Sequence, residues 1–128
     1  MEFPKNLKYT KEHEWVKLEG SSAVLGITEF AQQELGDIVF VDLPAVGKTL
    51  KKGDSVCVVE STKAASDVYC GVGGTVAAVN SELSNAPQRV NKSPYGDGWM
   101  VKLDKVNKAD FDTLLSPEAY KEFLGDKV

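Results

Sequence analysis

The sequence predicts a mainly β chain, an antiparallel β-sandwich or flattened barrel with a short internal helix and a C-terminal helix. Three observations carry that prediction. Gly and Pro punctuate short runs at the intervals expected of an all-β domain. The runs are crowded with Val, Ile, Phe, Tyr and Trp, whose branched or flat side chains suit a half-buried pleated surface. Helical periodicity surfaces in only two places.

The readable strands are Glu14 to Leu18, Ala23 to Ile27, Ile38 to Leu43, Ser55 to Glu60, Asp67 to Cys70, Thr75 to Asn80 and Trp99 to Leu103. Ile38 to Val41 and Val56 to Val59 are apolar at successive positions, the pattern of strands covered on both faces. Between them LPAVGKTLKKGD reads as a turn, a short strand and another turn, with Pro44, Gly47 and Gly53 as its punctuation. SPYGDGW reads as a tight turn before the last strand.

The first helix is TEFAQQELG. Thr28 can cap it, Phe30, Ala31 and Leu35 share a face, and Gly36 can end it. In LSPEAYKEFLG, Ser116 is the N-cap, Pro117 takes the first helical position and Gly125 closes the end. Its stripe of Ala119, Tyr120, Phe123 and Leu124 predicts a helix laid across the sheets and covering an edge. The 128 residues and 13.9 kDa match one domain spanning residues 1–128, with the C-terminal helical segment at about 107–125.

Charge and composition exclude several function classes. Fifteen basic against nineteen acidic residues give a net charge of −4 and no basic footprint for nucleic acid. The same balance disfavours an electrostatic hold on anionic membranes, and no apolar run approaches the roughly 18 residues of a membrane-spanning helix. The N-terminal stretch MEFPKNLKYTKEHEW has neither a signal-peptide core nor the character of a transit peptide, so a cytoplasmic site of action is expected. Were a transit peptide missing from this chain, the mitochondrial matrix would be the expectation instead. One histidine and two cysteines without Cys-x-x-Cys spacing offer no metal site. His13, within Lys-Glu-His-Glu, reads as a solvated surface residue rather than a catalytic base. Scattered carboxylates and the absence of a phosphate-binding loop leave no independent active site, and GVGG at 71–74 reads as a turn or bulge.

Lys63 is one of fourteen lysines and has no distinction by residue type. Its place is distinctive. VCVVES and SDVYCGV flank Thr62-Lys63-Ala64-Ala65, which is hairpin spacing with the lysine at the tip. Ser61, Thr62, Ala64, Ala65 and Ser66 are small and leave the ammonium open. A solvated hairpin lysine and a lysine recognised or modified by another enzyme both fit these features. A catalytic lysine does not, because it needs burial or a cationic neighbour to lower its pKa. With the hairpin centred between Lys63 and Ala64, Cys57 falls opposite Cys70. A one-residue shift of the turn separates them. Both are expected to be reduced core or near-core thiols.

The segment VVESTKAASDVYCGVGGTVAAVN resembles the lipoylated segment of the glycine cleavage system H-protein family. KYTKEHEWVKLEG, LGITEFAQQELGDIVFVDLPAVG, SPYGDGWMVKL and LLSPEAYKEFL resemble further blocks of that family in the right order, over nearly the whole chain. The chain departs from the family pattern at Thr62, where Val is usual, at Cys70-Gly71, where a proline-containing turn is typical, and at Gly73 in place of Ser. These bear on turn stiffness and leave the lysine in place.

The resemblance implies the lipoyl/biotinyl-carrier, or barrel-sandwich hybrid, type of fold, with lipoic acid in amide linkage on Lys63. It implies a non-catalytic carrier that takes an aminomethyl group from glycine decarboxylase, a pyridoxal-phosphate enzyme. The carrier would pass it to a tetrahydrofolate-dependent aminomethyltransferase and be reoxidised by dihydrolipoyl dehydrogenase. A lipoate-attaching enzyme is a further implied partner, and a monomer is expected. Glu14, Asp67 and, less directly, Glu34 are the implied carboxylates of a cleft sheltering the loaded arm. An H-like protein relaying lipoyl groups to other enzymes is the alternative within the fold, and an unmodified β adaptor the alternative outside it. The Asp-Lys-Ala of 2-oxoacid dehydrogenase lipoyl domains and the Met-Lys-Met of biotin carriers are both absent at Lys63.

Overall fold

A computed structural model describes residues 1–127. Two antiparallel sheets face each other across one core. The larger is built from β1 (Lys8–Tyr9), β2 (Glu14–Glu19), β3 (Ser22–Ile27), β5 (Thr49–Leu50), β8 (Gly74–Val79) and β9 (Val101–Asp104), in the order β1-β2-β3-β9-β8-β5. The smaller holds β4 (Ile38–Asp42), β6 (Ser55–Ser61) and β7 (Ala65–Tyr69), in the order β4-β6-β7. Val16, Leu25, Val76, Val101 and Leu103 from the first sheet meet Ile38, Val41, Val56, Val59 and Val68 from the second. Burying such side chains contributes roughly 1.5–3 kcal/mol each.

The double-faced burial assigned to Ile38–Val41 lies elsewhere. Ile38 and Val41 are buried, but Val39 and Phe40 are 54% and 47% exposed. A bulge between Ile38 and Phe40 breaks the alternation, and β4 is the edge of a sheet whose outer face is uncovered. The strands covered on both sides are β2 and β3. Val16 and Leu25 enter the main core, while Trp15 and Val24 belong to a second cluster with Leu7, Tyr9, Phe30, Tyr120 and Leu124.

That second cluster lies beneath the C-terminal helix, α4 (Pro117–Leu124). Ser116 caps it by accepting from the Ala119 amide at 3.1 Å. Tyr120 stacks on Tyr9 with ring centroids 4.8 Å apart, and Tyr9 exchanges backbone bonds with Leu115 at 2.9 and 2.8 Å. The helix and the turn before it thus cover the β1 edge, as its apolar stripe predicts, although Phe123 stays exposed.

The internal helix α1 (Glu29–Leu35) begins where Thr28 accepts from the Ala31 amide at 3.2 Å. It ends at Gly36, whose φ of 82° favours glycine. Two short helices, α2 (Arg89–Lys92) and α3 (Lys108–Asp112), have no counterpart among the predicted elements in the first case and fall inside the 107–125 segment in the second. No helix among the described residues is long and apolar enough to cross a membrane.

Candidate functional site

Lys63 occupies the middle of the three residues that join β6 to β7. The register pairs Glu60 with Ala65 and Val58 with Asp67, so the hairpin is centred between Thr62 and Lys63, one residue earlier than symmetry about Lys63 and Ala64 would place it. Ser61, counted in the sequence only as a small shoulder, holds the turn. Its hydroxyl oxygen accepts from the amides of Lys63 and Ala64, both at 3.1 Å, and donates to the Ala64 carbonyl. The Ser61 amide donates to that same carbonyl at 2.8 Å. Thr62, Lys63, Ala64, Ala65 and Ser66 are all exposed. A rigid base therefore presents a solvated ammonium on an open turn.

The turn also leans on the chain leaving α1. The Thr62 amide donates to the Asp37 carbonyl at 3.1 Å. A Cβ on Gly36 would lie 3.3 Å from Cε of Lys63, so the lysine stem runs close over the end of that helix.

The one-residue shift settles the cysteines. Cys57 faces Val68 across the ladder, while Cys70 lies beyond β7. Both are buried free thiols. Cys57 Sγ lies 3.7 Å from the sulfur of Met100, and Cys70 donates to the Lys51 carbonyl at 2.8 Å. Burial pushes the Cys57 thiol up to about 12 and raises Cys70 as well, which leaves both inert as nucleophiles.

The three candidate carboxylates have different surroundings. Glu14 is buried and opens onto a groove of about 450 Å³ that Thr10, Tyr69, Cys70, Gly71 and Leu114 help line. The Thr10 hydroxyl donates to one of its oxygens at 2.5 Å and the Tyr69 amide to the other at 3.3 Å. Desolvation outweighs these bonds and raises the carboxyl to about 7. Asp67 is exposed on β7, accepts from the Ser55 hydroxyl at 2.8 Å and does not line that groove. It lies on β7 between the lysine turn and Tyr69. Glu34 is exposed in the last turn of α1, close enough to His13 to act on it electrostatically, and lies outside the groove too. Thr10 and Tyr69 were not singled out in the sequence. Thr10 belongs to the turn that connects β1 to β2, and only the fold brings Tyr69 back to Glu14.

His13 is not a solvated surface residue. It is half-buried with φ of 72°, its Nδ1 lies 2.9 Å from the Tyr120 hydroxyl, and that hydroxyl lies 2.8 Å from Oγ1 of Thr28. Burial lowers its pKa. The trio ties α4 to the start of α1.

Comparison with known proteins follows the same lines. Residues 7–127 match the family model described as Glycine cleavage H-protein. A glycine cleavage system H protein from Carboxydothermus hydrogenoformans is 54% identical over 124 residues, covering 97% of this chain and 95% of that protein. One from Listeria monocytogenes is 52% identical over 124 residues, covering 97% and 99%. The crystal structure of a glycine cleavage system H protein from Mycobacterium marinum superposes with a TM-score of 0.81 at 34% identity, covering 97% of this chain and 98% of that one.

Proposed function

The chain belongs to the glycine cleavage H-protein family, and from that premise we propose that Lys63 is the residue that takes lipoic acid in amide linkage. The function is that of the lipoyl carrier of the glycine cleavage system. One observation carries the assignment of the lysine. Its ammonium projects from an exposed three-residue turn whose backbone Ser61 holds still. The residues fit the group: an attaching enzyme must close around the amine, and the small neighbours leave that approach free. Lipoic acid, once attached, supplies a reducible disulfide and, when opened, a thiol nucleophile.

The chain's own residues present the arm and shelter its end. A tether raises the effective concentration of what it carries at each site it visits, and a rigid β hairpin limits where it can point. Glu14 is the residue suited to hold a cationic amine. Its carboxyl is desolvated, and an incoming positive charge would favour its ionised form. Asp67, along the strand between the tether and Glu14, and Glu34, at the end of α1, are the accompanying carboxylates of the proposed path. The chain breaks no bonds itself, in keeping with separated carboxylates and inert thiols. Its proposed partners are glycine decarboxylase, the tetrahydrofolate-dependent aminomethyltransferase, dihydrolipoyl dehydrogenase and a lipoate-attaching enzyme. The bacterial relatives support the cytoplasm as the site of action.

Reconstituted glycine decarboxylation with these enzymes tests the assignment. Lys63→Arg is expected to fold normally and support no turnover, because a guanidinium does not form the amide. Turnover by that variant would reject Lys63 as the attachment point.

A further inference from the structure

We propose that Asn91 is the positioning residue of the tether, acting from a different element through the chain that leaves α1. The inference rests on Lys63 being the attachment point, and it concerns the surface on which the lysine turn is seated. Gly36 and Asp37 are irregular chain between α1 and β4, and Ile38 opens the edge strand, so polar groups of this segment lack regular partners on one side. One side-chain amide meets that need. Asn91 Oδ1 accepts from the Ile38 amide at 2.8 Å, and Nδ2 donates to the Gly36 carbonyl at 2.9 Å. The second Nδ2 hydrogen goes to Oε1 of Gln32 at 2.9 Å. Both hydrogens of the amide are thereby used.

The clamp spans Asp37, and Asp37 is where the lysine turn attaches. Its carbonyl accepts from the Thr62 amide at 3.1 Å, while Gly36 lies against the Lys63 stem. Ile38 also pairs with Ser61, the residue whose hydroxyl fixes the turn. Asn91 itself is anchored, since its neighbour Val90 is fully buried in the main core. A continuous path of bonds thus runs from the core through α2 to residues 36–38 and then to 61–63. Removing the clamp frees the seat without touching the lysine. The turn then samples orientations in which the attaching enzyme does not recognise it, which raises apparent KM in proportion and leaves kcat in place.

The experiment compares the unmodified chain, Asn91→Ala, Asn91→Asp and a control, Val79→Ala, which trims the edge of the main core. Asn91→Asp keeps side-chain size and the acceptor for Ile38 but loses both donations, and it serves if Asn91→Ala fails to fold. Amide hydrogen exchange and the kinetics of lipoate attachment are read on each. Either Asn91 variant is expected to speed exchange at Thr62, Lys63 and Ala64 by about tenfold or more relative to the control, since each loses at least two hydrogen bonds of the clamp. KM for attachment should rise at unchanged kcat, by the factor by which the competent fraction of the turn falls. Exchange at 62–64 no faster than in the control, in whichever Asn91 variant folds, would overturn the proposal. Exchange needs no lipoyl group, so a failure of attachment at Lys63 would show separately, as faster exchange in a chain that is never modified there.

Discussion

The main-chain amide of Tyr69 donates to the carboxylate of Glu14 at 3.3 Å, joining the strand that leaves the lysine turn to the one buried charged side chain among the described residues. Burial holds that carboxyl at about 7 against an ordinary 4.5. The folded chain therefore binds the proton more tightly than the unfolded one. Its contribution to stability is complete below about pH 4.5 and is lost as pH rises through about 7. Glu14→Gln does not titrate. Urea unfolding of both proteins should show wild type losing about 3 kcal/mol relative to the variant between about pH 4 and pH 8. A difference that does not change with pH would mean the carboxyl is not desolvated.

Gly26 faces Trp15 across β2 and β3, and a Cβ there would meet the indole at 2.6 Å. The ring cannot yield easily, because its N–H donates to the Pro94 carbonyl at 3.0 Å. Gly26→Ala is expected to cost about 1–3 kcal/mol, the usual range for overpacking. Its urea midpoint should fall accordingly, and an unshifted midpoint would show that this approach is looser than 2.6 Å implies.

The cysteines should report two thiols per chain when the protein is unfolded without reductant, and little reaction while it is folded. Cys57 and Cys70 are off register, and burial suppresses the thiolate of each. Fewer than two thiols in the unfolded chain would reveal a disulfide that this register does not provide.

Much of the fold is readable because its signals are local. Thr28 and Ser116 announce helix starts through hydroxyls that accept amides three residues on, Pro117 through its fixed φ, and Gly125 an end through its amide on the Lys121 carbonyl. The covering of both faces is not local. Ile38–Val41 and Trp15–Val16 look alike as apolar runs, and only the third layer under α4 decides that Trp15 is buried while Phe40 is not. Register escapes for a similar reason, since Ser61 closing the turn through its hydroxyl moves the centre by one residue. His13 reads as surface because its partner Tyr120 lies 107 residues away. In the site, the exposed hairpin lysine is legible from its flanks, and its proposed role as tether from the family resemblance. The surroundings proposed to serve it are not: Tyr69 and Asn91 make contacts that arise only when distant segments meet, and Thr10 meets Glu14 across the β1–β2 turn.

We propose above all that Lys63 carries the lipoyl group. The most direct test is the intact mass of the chain produced with lipoate and an attaching enzyme, followed by peptide mapping. One lipoyl adduct per chain is expected, confined to the peptide containing Lys63 and absent from Lys63→Arg. An unmodified chain under those conditions, or an adduct on any other lysine, would contradict the account.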